Sequence, residues 1–496
     1  MSAHPASHPS VTSHPATEVG AEAATPIEKR KSWALLAVAL AAQILVVLDI
    51  SVVNTALPSI GSSLNLDSSQ LQWVVTAYLM MSGGCLLLGG RIADLLSRRR
   101  VFLTGLVLFT AASAVSGFAE TGNQLIAARA VQGLSAALLT PSAMSLIMTH
   151  YAGNQRKTAL AMWGAVGSLG VAAGVLVGGA LTTAASWQAI FWVNVPVGLI
   201  ALVVGRRVIA KETRTAPRPS VRDFDLPGAA AVVTGLAALI YGISGTSTHG
   251  WASVHSIAAF AVSAGLLLVF LKLENRAAKP LFPPHVWKLQ SLVSGTVVML
   301  GVSGILVGAV FLTSIYLQTV LGYSALETGL SFLPFAFALT VGTAVAKHLL
   351  AHVAPRTIAT TGLLVAVFAS GWLSAADADS SLVTGILPGL VLLGFGIGMV
   401  FVPVSVTSMA GIPASHAGVA SGFLMTGHEL GAALGVAILS AVAASAGTLT
   451  TAAGAADAFS AGFIGASVMA AVVAVFAAVR MPAALAAGGG GGMHMH

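Results

Sequence analysis

Leu48-Asp49-Ile50-Ser51-Val52-Val53-Asn54-Thr55-Ala56-Leu57-Pro58 closes an apolar run that begins at Trp33. A stretch such as 33–57 is long enough to cross the hydrocarbon core of a bilayer, which takes about 20 residues. Asp49 sits inside it. An ionised carboxylate at that depth costs roughly 2.5–3.5 kcal/mol on insertion scales, so an acid held there is expected to face a wet cavity and to do work, such as taking and releasing protons.

The whole chain fits this reading. Of its 496 residues, 56% are hydrophobic and 8% charged, against about 25% charged in a soluble domain. That bias describes an all-α integral membrane protein crossing the bilayer many times. The single cysteine, Cys85, lies in an apolar span, so neither a disulfide framework nor a thiolate metal site is expected. No metal, phosphate-loop or dinucleotide fingerprint appears, and no nucleophile–base pair is visible at membrane depth. The expectation is no enzyme, no cofactor, no metal and no ATP-driven step. The formal charge of +7 does not point to nucleic acid, because the basic residues lie in short loops between apolar runs, where they orient the chain.

Fourteen apolar runs are expected to span: 33–57, 71–90, 101–119, 124–148, 158–182, 188–205, 227–245, 254–271, 291–316, 328–346, 357–376, 382–408, 416–443 and 458–479. With the N-terminus cytoplasmic, 22 of the 23 Lys and Arg residues fall on the cytoplasmic side, and Arg129 falls inside the fourth span. The opposite loops carry Asp67, Glu120, Asp377, Asp379 and Asp457 instead. This is the positive-inside pattern, and it places both termini in the cytoplasm of a cell-membrane protein. The runs divide as 6+2+6, which implies two pseudo-symmetric six-helix bundles with a site between them at mid-membrane. The expected organisation is a disordered tail at 1–32 with its Ser-His-Pro and Ala-His-Pro repeats, and a first bundle at 33–209. Basic loops with two inserted helices follow at 210–290, then a second bundle at 291–480 and a glycine-rich flexible tail at 481–496.

Several motifs carry chemistry. Gly90-Arg91-Ile92-Ala93-Asp94-Leu95-Leu96-Ser97-Arg98-Arg99-Arg100 lies between spans 2 and 3, where Gly90, Asp94, Arg98 and Arg99 are candidates for a charge latch at helix ends. Arg129-Ala130-Val131-Gln132-Gly133 places Arg129 about 8 Å, and Asp49 about 12 Å, below the outer ends of their spans at about 1.5 Å per residue. Those depths allow a salt bridge. In span 5, Gly170, Gly174 and Gly178 share one helical face, letting a neighbour approach closely. Glu429 lies mid-span in Thr426-Gly427-His428-Glu429-Leu430-Gly431 without an adjacent cation, and is expected to face the cavity as a second proton carrier or as counter-charge to a cationic drug. His428 points about 100° away from it. Glu327, at the start of span 10, reads as interfacial.

Together these segments, with Trp187-Gln188-Ala189-Ile190-Phe191-Trp192-Val193-Asn194-Val195-Pro196-Val197-Gly198, resemble the major facilitator superfamily, specifically its fourteen-span drug:proton antiporters. The span-1 segment is similar to that family's Leu-Asp-x-Thr-Val-Val-Asn-x-Ala-Leu-Pro signature, with Ser51 in place of threonine. Gly167–Gly179 is similar to its antiporter motif, with Val175 where proline is usual. The resemblance implies a proton-driven exporter of amphipathic drugs or antibiotics, cationic ones included, that works by alternating access. Its partners would be the bilayer, protons and the drug. Asp49, Glu429 and Arg129 would couple protons. By position alone, and apart from the resemblance, Asn54, Tyr78, Gln132, Trp163, Phe335, Phe401 and Met425 are candidates for the cavity wall, with Phe332 and Phe423 as further candidates. A dedicated exporter of one metabolite, or a non-transporting membrane partner, stays open at this point.

Overall fold

The computed structural model describes residues 26–151, 153–210, 225–277, 289–410, 412, 417–447 and 452–482. The tail repeats before Pro26, the glycine run of the C-terminal tail, and the basic loops 211–224 and 278–288 lie outside the described residues. Among the described residues the chain is helical throughout, with no strand.

The first six spans are α1 (Pro26–Leu64), α2 (Ser68–Leu95), α3 (Arg98–Gly117), α4 (Gly122–His150), α5 (Gly153–Ala184) and the pair α6 (Ala189–Trp192) and α7 (Asn194–Val208). Two inserted helices follow, α8 (Leu226–His249) and α9 (Val254–Arg276). The last six are α10 (Gln290–Thr319), α11 (Ala325–Ser331) with α12 (Leu333–Leu349), α13 (Pro355–Leu373), α14 (Leu387–Met409), α15 (Ala417–Ala446) and α16 (Ala452–Arg480). Thirteen segments are long and apolar enough to cross a membrane among the described residues. The 32-residue α5 is the fourteenth. The 6+2+6 architecture read from the sequence is therefore present.

Helix starts follow local chemistry. Asp67 and Gln70 form a capping box at α2, Ser97 and Thr121 cap α3 and α4, and Ser324 with Glu327 caps α11. Glu327 is thus an exposed helix cap, in keeping with an interfacial acid. Prolines explain two breaks. Pro196 cannot donate to the carbonyl one turn earlier, and the sixth span breaks at Val193; Pro334 does the same after Phe332. Pro58, by contrast, lies within an unbroken α1, which runs from within the expected tail past the expected end at Leu57.

In the first half α1 packs on α5, and α4 packs on α2 and α3; in the second α10 packs on α15 and α12 on α14, with α13 against α14 and α16. The halves meet through α2–α15, α5–α11 and α1–α10, and α8 leans on both α2 and α15. The inserted pair therefore lies along one seam between the halves.

Candidate functional site

The seam between α1 and α5 is set by glycine. A Cβ on Gly170 would come within 2.8 Å of Val47 Cγ1, and one on Gly178 within 2.7 Å of Val52 Cα. Gly174 faces Ser51 and Leu48 in the same way. The three glycines thus hold α1 at backbone distance, and α5 runs unbroken past Val175.

Asp49 lies on another face of α1, turned toward α4 and α7, and is 0% exposed. Arg129 Nη1 from α4 forms a salt bridge with Asp49 Oδ2. Asp49 Oδ1 accepts from Gln132 Nε2 at 2.6 Å and from Asn194 Nδ2 at 3.2 Å. Arg129 also donates through Nη1 to Gln132 Oε1 at 2.9 Å and through Nε to the Val74 carbonyl at 3.2 Å. Its guanidinium lies 4.4 Å from the Tyr78 ring centroid, a cation–π arrangement. Asn194 further donates to Ser113 Oγ at 3.1 Å, and that hydroxyl donates to the Phe191 carbonyl at 3.0 Å. Five elements (α1, α2, α3, α4 and the α6–α7 break) thus converge on one charge pair.

The predicted pairing of Asp49 with Arg129 is present. The expectation that Asp49 faces a wet cavity is not met in this conformation: burial of a charge is tolerated only with full hydrogen bonding, and the network supplies it. Tyr78 and Gln132, both 0% exposed, belong to this network and not to a cavity wall. Sequence gives no role to Asn194 or Ser113, although Asn194 stands in the quoted Trp187–Gly198 segment. Ser113 is one hydroxyl among many in an apolar helix, and sequence offers no signal for it.

Glu429 is elsewhere. A Cβ on Gly83 of α2 would lie 2.7 Å from Glu429 Cβ, which puts the acid on the α2–α15 seam. Its Oε2 is buried without a hydrogen-bond partner among the described residues. The two acids therefore differ in kind: one is saturated with donors inside the first half, the other has an open acceptor between the halves.

The remaining cavity candidates do not form one cluster. Trp163, Phe332, Phe335 and Phe423 are buried, and Phe332 packs edge-on against Phe335 at 6.3 Å. Phe401 is half-buried and Met425 is exposed. In the expected latch, Arg99 Nη2 donates to the Arg206 carbonyl at 2.8 Å, tying α3 to the end of α7. The side chain of Asp94 lies outside the described ones. Gly90 has only Pro141 nearby, at an ordinary distance, and Arg98 begins α3.

At the end whose loops carry Asp67 and Asp377, hydrogen bonds join the halves. Ser314 Oγ donates to the Asn54 carbonyl at 2.6 Å, Gln318 Nε2 to the Thr55 carbonyl at 2.9 Å, and Leu326 N to Thr183 Oγ1 at 3.1 Å. The first has a covalent cause. Pro58 has no N–H, so the Asn54 carbonyl four residues earlier loses its helical donor, and Ser314 of the other half replaces it. These three hydrogen bonds tie the halves together at the acidic end.

Against known proteins, the family model described as Major Facilitator Superfamily matches residues 39–436. The chain is 39% identical over 447 residues to the cephamycin export protein of Amycolatopsis lactamdurans, covering 90% of this chain and 91% of that one. It is 38% identical over 420 residues to the puromycin resistance protein of Streptomyces alboniger, covering 84% and 82%. Among solved structures, a D-xylose-proton symporter superposes with a TM-score of 0.63 at 16% identity, covering 91% of this chain and 98% of that one. With a matching family model, relatives aligned along most of their length and the same fold, the chain belongs to the major facilitator superfamily.

Proposed function

We propose that this protein exports amphipathic drugs or antibiotics across the cytoplasmic membrane in exchange for protons. Export is supported by relatives named for cephamycin export and puromycin resistance. Proton coupling is supported by one observation above all: the fully buried Asp49–Arg129 pair.

The network gives the pair a mechanism. A proton arriving on Asp49 Oδ2 would set an O–H donor against the Arg129 guanidinium and leave a buried cation uncompensated. That state is costly unless the helices rearrange, so protonation and conformational change are linked. Glu429, with its open acceptor at the α2–α15 seam, is the second proton or cation site. With the basic end and both termini in the cytoplasm, the joined acidic ends make this an inward-facing arrangement of the two bundles (33–209 and 291–480). Each proton entering gains roughly 2.3 kcal/mol per 100 mV of membrane potential, and two such acids roughly double the drive for a neutral cargo.

The test is efflux of ethidium from energised cells, with and without a protonophore, for wild type, Asp49→Asn and Glu429→Gln. Protonophore-sensitive efflux that disappears in Asp49→Asn supports the reading. Efflux indifferent to the protonophore, or equal in all three proteins, sinks it.

A further inference from the structure

His428 is adjacent to Glu429 in sequence but belongs to different surroundings. Its Nδ1 lies 2.6 Å from Ser303 Oγ of α10, and its ring meets Phe401 of α14 edge-to-face, with centroids 6.0 Å apart. Ser303 is fully buried. Serines in these helices commonly donate back to the carbonyl four residues earlier, as Ser405 and Ser408 do. Ser303 makes no such bond among the described residues, so the single acceptor for its hydroxyl hydrogen is His428 Nδ1. A neutral imidazole that accepts at Nδ1 carries its proton on Nε2. His428 therefore presents an N–H donor, and no protein acceptor for it is found among the described residues.

The direction of that donor follows from exposure along α15. Ser421, Met425 and His428 fall on one helical face at spacings of four and three. Ser421 and Met425 are exposed and His428 is half-buried, and the same face is closed further on at Ala432, Gly435 and Leu439. A lipid-facing stripe would stay exposed along its length. This one tapers shut toward the acidic end, as the wall of a cleft open at the basic end does. Phe401, half-buried on α14, packs against the His428 ring of this face.

We infer that His428, oriented by Ser303 and flanked by Phe401 and Met425, is a specificity-determining residue that binds the carbonyl or carboxylate oxygen of a planar aromatic cargo. The aromatic part lies against Phe401 and the thioether of Met425, and His428 Nε2–H donates to the oxygen. Ser303 is a positioning residue, since it acts through the imidazole. The inference rests on the export reading, deepens it to a substrate class, and uses neither Asp49 nor Glu429.

The experiment compares two fluorescent probes in the full-length protein: doxorubicin, a planar quinone rich in carbonyls, and ethidium, an aromatic cation with none. Binding to detergent-purified protein and efflux from cells are both measured for wild type, His428→Leu, His428→Gln and Ser303→Ala. Loss of one donor to a buried acceptor is expected to weaken doxorubicin binding and kcat/KM about five- to tenfold in His428→Leu, with ethidium changed less than about twofold. His428→Gln, whose amide N–H reaches the place of Nε2, restores doxorubicin. Ser303→Ala, which frees the imidazole to carry its proton on either nitrogen, lowers doxorubicin about two- to threefold and spares ethidium. Equal losses for both probes would mean that His428 is structural and would overturn the inference. So would unchanged doxorubicin binding in His428→Leu, or no doxorubicin binding to wild type at all. Binding with the expected ratios but without efflux in any protein would overturn the export reading alone.

Discussion

Neutralising Asp49 without changing its shape is the most direct test of the buried network. In Asp49→Asn, the amide can be placed in two ways. With its oxygen where Oδ1 was, it still accepts from Gln132 and Asn194, but its NH2 faces the Arg129 guanidinium, donor against donor. Turned over, it accepts from Arg129 and opposes the NH2 groups of Gln132 and Asn194. Neither placement satisfies all partners, and both leave Arg129, 1% exposed, as an uncompensated buried charge. Breaking such a pair from one side costs about 3–5 kcal/mol. Arg129→Gln leaves the converse, a buried carboxylate whose strongest donor is gone, at a similar cost. Removing both charges together costs far less, because no lone charge remains and two amides bond to each other. The double-mutant cycle is therefore expected to give a coupling of about 2 kcal/mol or more, read as thermal stability of the detergent-purified protein. Additive single-mutant losses would refute the argument that the pair is held by mutual compensation. The stable double variant is expected to have lost proton-coupled efflux, which separates coupling from folding.

Two further expectations concern how the helices meet. Gly178→Ala drives a methyl group onto the Val52 backbone of α1. Backbone cannot step aside as a side chain does, so a loss of about 1–3 kcal/mol in thermal stability is expected; full stability would show that α1 and α5 are not held in register there. At the acidic end, Ser314→Ala strands the Asn54 carbonyl that Pro58 deprives of a helical donor. Losing one such bond shifts the balance toward an open acidic end by about 1 kcal/mol, roughly fivefold in population. Spin-label distances between α1 and α10 would read this shift, and Pro58→Ala, which returns the N–H, should reduce the effect of Ser314→Ala. Identical shifts in both backgrounds would disprove the link.

Sequence alone determined the membrane class, the fourteen spans and their 6+2+6 order, because lipid forces every spanning backbone into long apolar helices whose lengths and flanking charges are written locally. It also allowed the pairing of Asp49 with Arg129, since the two opposite charges lie at similar depth, and it indicated the packing role of Gly170, Gly174 and Gly178, which follows from helical periodicity. What it left open depended on rotation about helix axes. Whether Asp49 faced water or protein, whether Tyr78 and Gln132 lined a cavity or a charge network, and whether His428 reached α10 and α14 all turn on which face of one helix meets which neighbour. In a chain apolar all round its helices, periodicity does not mark that face. Only the packed bundle decided these points: it brought Asn194 and Ser113 to Asp49, left Glu429 with an open acceptor between the halves, and set Ser314 against the carbonyl that Pro58 had freed.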